Sequence, residues 1–309
     1  MWLGLTGLVV AVVGGGVLYW SVLRDLPEID SVDDYQPPVT SIVLDREGRV
    51  IGEFFVERRQ VVPIERIPRH AQLAFVAAED SAFFEHKGID YVSILRAAWV
   101  DVTAGAIKQG ASTITMQLVK QLLLSPERKF RRKIREMILA RLIEENFSKQ
   151  EILFLYLNHI YFGHGAHGIA EAAYTYFDKD VEALSVSESA LLAGLPQRPS
   201  SYSPYRSPES AETRRRYVLK RMLDDQIIDA ETYQAALDAP PEIAPPKARE
   251  DFAAASYFTE EVRRYLFERL GGETVLNGGL RIETSLDLDL QKEAVRAVRK
   301  GLIDHDHRQ

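Results

Sequence analysis

The chain has 309 residues, 46% of them hydrophobic, which is ample apolar content for a real core in one or two domains. Its net charge of −7 excludes the global basic field of a nucleic-acid binder. The absence of cysteine excludes disulfides, thiolate metal sites and a cysteine nucleophile.

From Trp2 to Leu23 no residue is charged. About 20 apolar residues span a bilayer, and Tyr19 and Trp20 fall where an aromatic belt would lie. A cleaved signal peptide is the alternative reading, but no small-x-small site precedes Arg24 and no basic stretch precedes the run. The expectation is a single anchor over 2–23 with the remainder outside the cytoplasm. Residues 24–59 read as a tether, polar and proline-bearing as far as Pro38. Short β segments then flank a turn at Asp45 to Gly48.

From about Ala71 to Leu237 the pattern is helical. Capping boxes are predicted at Ser148 with Glu151 and at Ser185 with Glu188, each Ser bonding the backbone while the Glu reaches back. Between them, NHIYFGHGAHG is glycine-punctuated and reads as a loop joining two packed helices. The proline-rich run from Ala239 to Asp251 marks a domain edge. After it come a helix over Tyr257 to Leu270 and then a strand, a turn and another helix. The expected divisions are a main domain over 60–238 and, over 239–309, a linker and the start of a further domain.

Three segments carry chemistry. In HAQLAFVAAEDSAFFEHKGID, Glu79 and Asp80 fall near the C-terminal end of a helix, where the dipole disfavours negative charge. A Glu there, backed by Phe83 and Phe84 and oriented by His86, suits a base with a raised pKa; a plain helix end over an aromatic core is the bland alternative. In QGASTITMQLVK, Gly110 permits close approach, while Ser112, Thr113 and Thr115 can bind diphosphate oxygens or simply cap a helix. Gln117 and Lys120 share a face if the stretch is helical. In RKIRE, Arg132 and Lys133 precede Glu136 by four and three residues, so all three share one helix face. The cations favour the charged form of Glu136, whereas Glu79 has no cation nearby in sequence. The basic cluster Arg128, Lys129, Arg131, Arg132, Lys133 and Arg135 points to a discrete anion. It reads equally as a solvated helix face paired with Glu127, Glu136, Glu144 and Glu145. His159, His164 and His167 lie close together, but no carboxylate or Cys joins them in a metal pattern.

Taken together these segments resemble the peptidoglycan glycosyltransferases of glycosyltransferase family 51, which also form the N-terminal half of class A penicillin-binding proteins. The signature EDxxFxxHxG is met by Glu79, Asp80, Phe83, His86 and Gly88. QGxSTxTxQ is met by Gln109, Gly110, Ser112, Thr113, Thr115 and Gln117, and RKxxE by Arg132, Lys133 and Glu136. Two further signatures run from Ile152 to Phe177 and from Ala190 to Pro204. Met116 departs from the usual glutamine, and Asp178 from the glycine that commonly follows YF.

The resemblance implies a mainly α, lysozyme-like helical domain with an N-terminal transmembrane helix, a short β-containing linker and a membrane-facing loop around Ala97 to Ile107. It implies extracytoplasmic attachment to the bacterial plasma membrane. The substrate would be lipid II, joined by β-1,4 linkage to a growing glycan strand, and cell-wall synthesis regulators would be further partners. Glu79 would be the general base that deprotonates the acceptor's 4-hydroxyl. Glu136, with Arg132, Lys133 and Lys120, would stabilise the departing diphosphate, with a divalent cation, magnesium or manganese, as an optional helper. Asp80, Phe83, His86, Gln109, Gly110, Ser112, Thr113 and Gln117 complete the expected substrate-binding set. GGLRIETSLDLDLQ resembles the beginning of a transpeptidase domain whose SxxK, SxN and KTG motifs are absent from the sequence. The expectation is therefore an N-terminal fragment or truncated form of a bifunctional synthase without transpeptidase activity. A lysozyme-like hydrolase would also use a Glu but needs no diphosphate site, and a non-catalytic tethered scaffold needs neither carboxylate.

Overall fold

The computed structural model describes residues 39–96, 112–122, 129–245 and 250–306. The predicted anchor at 2–23, the tether as far as Pro38, the loop from Ala97 to Ile107, and Gln109 and Gly110 lie outside these residues. No described helix is long and apolar enough to cross a membrane.

The described chain is mainly helical. It opens on an antiparallel hairpin of β1 (Ser41–Leu44) and β2 (Val50–Phe54), at the predicted place. Asp45 shapes the turn: its Oδ1 accepts from the backbone N–H of Glu47 at 2.9 Å and of Arg49 at 2.8 Å. After β3 (Arg58–Arg59) comes α1 (Arg69–Glu79), which ends where Asp80 leaves helical geometry at φ −162°.

The next helices are α2 (Ile114–Leu122), α3 (Lys129–Asn146) and α4 (Lys149–His159). Both predicted capping boxes form. Ser148 and Glu151 open α4, and Ser185 and Glu188 open α6 (Val186–Gly194). The stretch between α4 and α5 (Ile169–Phe177) is more ordered than the predicted loop. It folds into β4 (Tyr161–Gly163) and β5 (Ala166–His167), and β5 pairs in parallel with β3 from far upstream. Asp178 ends α5 in the left-handed conformation at φ 55°, which explains the preference for glycine at that position.

Then come α7 (Pro208–Asp224) and α8 (Ala230–Asp238). The largest apolar cluster lies among α1 to α8, with Phe75, Ile114, Tyr156, Phe162, Tyr176, Leu192 and Val218 all at 1% exposure or less. Phe75 meets Tyr156 and Phe162 edge-on, at centroid distances of 6.4 and 5.7 Å. Met116, the departure from glutamine, is buried in this core.

A second, smaller cluster joins the two ends of the described chain. After α9 (Glu250–Leu270) and α10 (Gly272–Asn277), β6 (Arg281–Glu283) pairs in parallel with β1, and α11 (Leu288–Asp306) follows. Val43, Ile51 and Phe54 pack there with Ala255, Val275 and Leu288.

Candidate active site

Glu79 is the last residue of α1, so its carboxylate projects where the helix carbonyls end. Its side chain is 9% exposed. Gln117 of α2 donates from Nε2 to Glu79 Oε2 at 2.8 Å, and the Tyr156 hydroxyl of α4 lies 3.4 Å from Gln117 Oε1. Burial pushes the Glu79 carboxyl above the usual range, and the charge of Asp80 adds to that; the Gln117 hydrogen bond and the Arg214 charge pull it down. Glu79 Oε1 is buried and accepts no hydrogen bond among the described residues.

Asp80 does a different job from its neighbour. Its Oδ2 accepts from the backbone N–H of Ile114 at 2.9 Å, placing an anion at the start of α2. His86 Nε2 lies 3.0 Å from both Asp80 oxygens. The expectation that His86 orients Glu79 is thus corrected: the imidazole is spent on Asp80. Thr113 completes the junction, donating from Oγ1 to the Gly88 carbonyl at 2.7 Å and accepting from the Met116 N–H at 3.2 Å as an N-cap. Phe83 is fully buried between Phe84, His86 and the ammonium of Lys149, which lies 4.4 Å from its ring centroid.

Gly88 is required by close approach. Its φ is +85°, and a Cβ there would come within 2.6 Å of the Ala140 carbonyl oxygen. The loop after α1 therefore rests directly on the backbone of α3.

On α3 the i, i+3, i+4 spacing brings the third segment together as expected. Glu136 is 4% exposed, with Lys133 Nζ 3.0 Å from its Oε2 and Arg132 Nε 3.3 Å from its Oε1. Lys133 also donates to Ser112 Oγ at 2.7 Å, so the hydroxyl ahead of α2 meets the cationic face of α3. Further along α3, outside the basic cluster, Arg141 and Glu145 form an exposed surface pair. Helix α2 links the two carboxylates: Gln117 reaches Glu79, and Ser112 touches the cation paired with Glu136. Lys120 is exposed on the same helix.

Glu136 meets two cations rather than other acids, a donor set that does not fit a resident divalent metal. Among the described residues no group of three or more His, Cys, Asp or Glu could hold a metal ion. The histidines are otherwise engaged. Burial and Arg59 push His159 down to about 3, His164 Nε2 lies 2.7 Å from Ser203 Oγ, and His167 Nδ1 lies 3.6 Å from Glu57.

The sequence reading missed Arg214. This residue of α7 places Nη2 3.7 Å from Glu79 Oε1, so the base candidate has a cation beside it after all. The available signal was spacing: Ala211, Arg214, Arg215, Val218, Leu219 and Met222 line one side of a helix, and an arginine among apolar positions calls for a partner. Its neighbour Arg215 is structural, fully buried and bonded to Glu212, Ser187 and the Ala236 carbonyl.

Residues 47–223 match the family profile described as Transglycosylase. The chain belongs to the transglycosylase family. It is 44% identical over 301 residues to penicillin-binding protein 1A of Aquifex aeolicus, covering 97% of this chain and 41% of that one. It is 40% identical over 296 residues to penicillin-binding protein 1A of Rickettsia bellii, covering 94% of this chain and 37% of that one. Among solved structures, the crystal structure of penicillin-binding protein 1A from Haemophilus influenzae aligns with a TM-score of 0.53 and 30% identity, over 92% of this chain and 31% of that one. The chain thus spans about two fifths of the curated relatives' length.

Proposed function

We propose that this transglycosylase-family chain polymerises lipid II into β-1,4-linked glycan strands of bacterial peptidoglycan. The observation that carries the proposal is the division of labour between two buried carboxylates. Glu79 sits in a dry setting that raises its proton affinity, and Glu136 sits among cations. Proton uptake and stabilisation of a leaving anion need these different settings.

In the proposed step the acceptor's 4-hydroxyl oxygen attacks the donor's anomeric carbon. Its proton passes to Glu79, the bond from that carbon to the diphosphate oxygen breaks, and configuration inverts. The polyprenyl diphosphate leaves with the bonding electron pair toward Arg132, Lys133 and Lys120, with Ser112 as a neighbouring hydroxyl. Glu136 holds Arg132 and Lys133 in place, and Asp80 fixes the start of α2 so that Gln117 meets Glu79. Cations placed where negative charge develops act without reorganising, which is where most such catalysis comes from.

A lysozyme-like helical lobe over 60–238, an anchor at 2–23 in the bacterial plasma membrane and an extracytoplasmic site belong to the same proposal. So do residues 239–309 as a linker and the start of a further domain, and cell-wall synthesis regulators as partners. An anchored enzyme suits a lipid-borne substrate, because both are confined to one surface. The test is incubation of the purified chain with labelled lipid II. Glycan polymer from wild type supports the proposal; cleavage of preformed glycan without polymer overturns it in favour of a hydrolase.

A further inference from the structure

Besides its own segment, four helices pack around the Glu79 end of α1. Its own segment contributes Asp80, which is bonded to Ile114 and His86. Helix α2 contributes Gln117, and α4 contributes the Tyr156 phenol, whose burial keeps it protonated far above neutral pH. Helix α6 packs on α1 but offers only Glu188 as a charged group, and Lys179 holds it at 2.6 Å. Helix α7 contributes Arg214, while its other nearby arginines are engaged elsewhere: Arg215 with Glu212, and Arg221 with Asp225 and the Ala77 carbonyl. Arg214 is therefore the cation that faces the base among the described residues.

Arg214 is also firmly held. Its guanidinium carbon lies 4.6 Å from the Tyr217 ring centroid and 5.8 Å from that of Tyr202. Its stem runs against Gly194 of α6, where a Cβ would come within 2.8 Å of Arg214 Cγ. The contact with Glu79 is an ion pair at 3.7 Å, not a hydrogen bond, and Glu79 Oε1 accepts no hydrogen bond among the described residues. A cation at that distance stabilises the carboxylate while leaving the lone pair of Oε1 free to take a proton.

We infer that Arg214 is a positioning residue for the general base, holding Glu79 ionised and turned toward the acceptor hydroxyl through an ion pair that does not occupy its proton-accepting oxygen. The inference rests on Glu79 being the base. Without Arg214, the Gln117 hydrogen bond alone opposes burial and the charge of Asp80, so the carboxylate would be protonated over more of the pH range.

The test is the pH profile of kcat/KM for lipid II polymerisation by the full chain, with wild type, Arg214→Gln, Arg214→Lys and Glu79→Gln compared. The expected result is an acidic limb displaced upward by about one pH unit in Arg214→Gln, since a cation at this range shifts a carboxylate by about that much or more. Activity on the acidic limb should fall about tenfold and recover to within a few-fold of wild type at high pH. Arg214→Lys should return the limb most of the way. An acidic limb unmoved in folded Arg214→Gln, with Glu79→Gln inactive, overturns this inference alone. Wild-type activity in Glu79→Gln overturns the base assignment beneath it. If Arg214→Gln does not fold, Tyr217→Leu takes its place: loosening the guanidinium should move the limb the same way by a smaller amount, and an unmoved limb there counts against the inference.

Discussion

Glu79 holds a charge where the protein penalises charge, and that cost should be measurable apart from catalysis. Its folded pKa lies above the unfolded value of 4.5, with burial as the main cause. The folded state therefore binds the proton more tightly, and the stability this contributes is present at low pH and withdrawn as pH rises through the folded value. Glu79→Gln, neutral at every pH, should escape the penalty. Its melting temperature should exceed that of wild type by an amount that grows as pH rises above about 4.5 and then levels off. Thermal scans at several pH values check this; a gap that shrinks with rising pH would contradict it. Asp80 ties the backbone together, because its oxygens satisfy the Ile114 N–H and face His86. Asp80→Ala leaves these groups unpaired and should cost about 1–3 kcal/mol in denaturant unfolding. The raised proton affinity of Glu79 was legible from its place at the helix end, but its partners are Gln117 and Arg214, whereas Phe83 faces Phe84, His86 and Lys149. The partner of His86 was not legible, because two adjacent carboxylates offer it equal reach in sequence.

At the scale of elements, α2 links the two halves of the site and the Gly88 loop sets its position. Gly88→Ala forces a methyl into the Ala140 carbonyl and a side chain into a left-handed backbone. It should destabilise by about 1–3 kcal/mol and lower polymerisation by displacing the Gly88 carbonyl that Thr113 bonds. An unfolding midpoint equal to wild type would show that the loop does not rest on α3 as described. Lys133→Met should act more on turnover than on folding. It removes one of the two cations on the buried Glu136 and leaves Arg132 in place, so kcat should fall about tenfold or more with a smaller loss of melting temperature. Features confined to one helical turn were readable in the chain: the two capping boxes, and the shared face of Arg132, Lys133 and Glu136. The β4–β5 hairpin escaped because its partner β3 is two residues long and lies far upstream. Arg214 escaped for the same reason, since its partner is on α1 and only its place on an apolar stripe marked it.

At the scale of the whole molecule, the described residues form two unequal apolar clusters, and the smaller is held by pairing of β1 with β6 from the other end of the described chain. No local pattern announces such a parallel pairing, although each strand was legible by itself. Its helices stay open on their outer sides: α9 keeps Tyr257 exposed, and α11 keeps Leu290 and Leu302 exposed. Amides of β1, β2 and β6 should therefore exchange with deuterium well before those of α1, α4 and α6, which surround Phe75 and Tyr156. Uniform protection across both regions would mean that the clusters unfold as one. The central claim, that the buried carboxylate of Glu79 drives glycan polymerisation, is tested most directly by comparing wild type and Glu79→Gln on labelled lipid II, with equal folding verified. Long glycan from wild type and none from the variant is the predicted result; polymer of equal length and yield from both would contradict it.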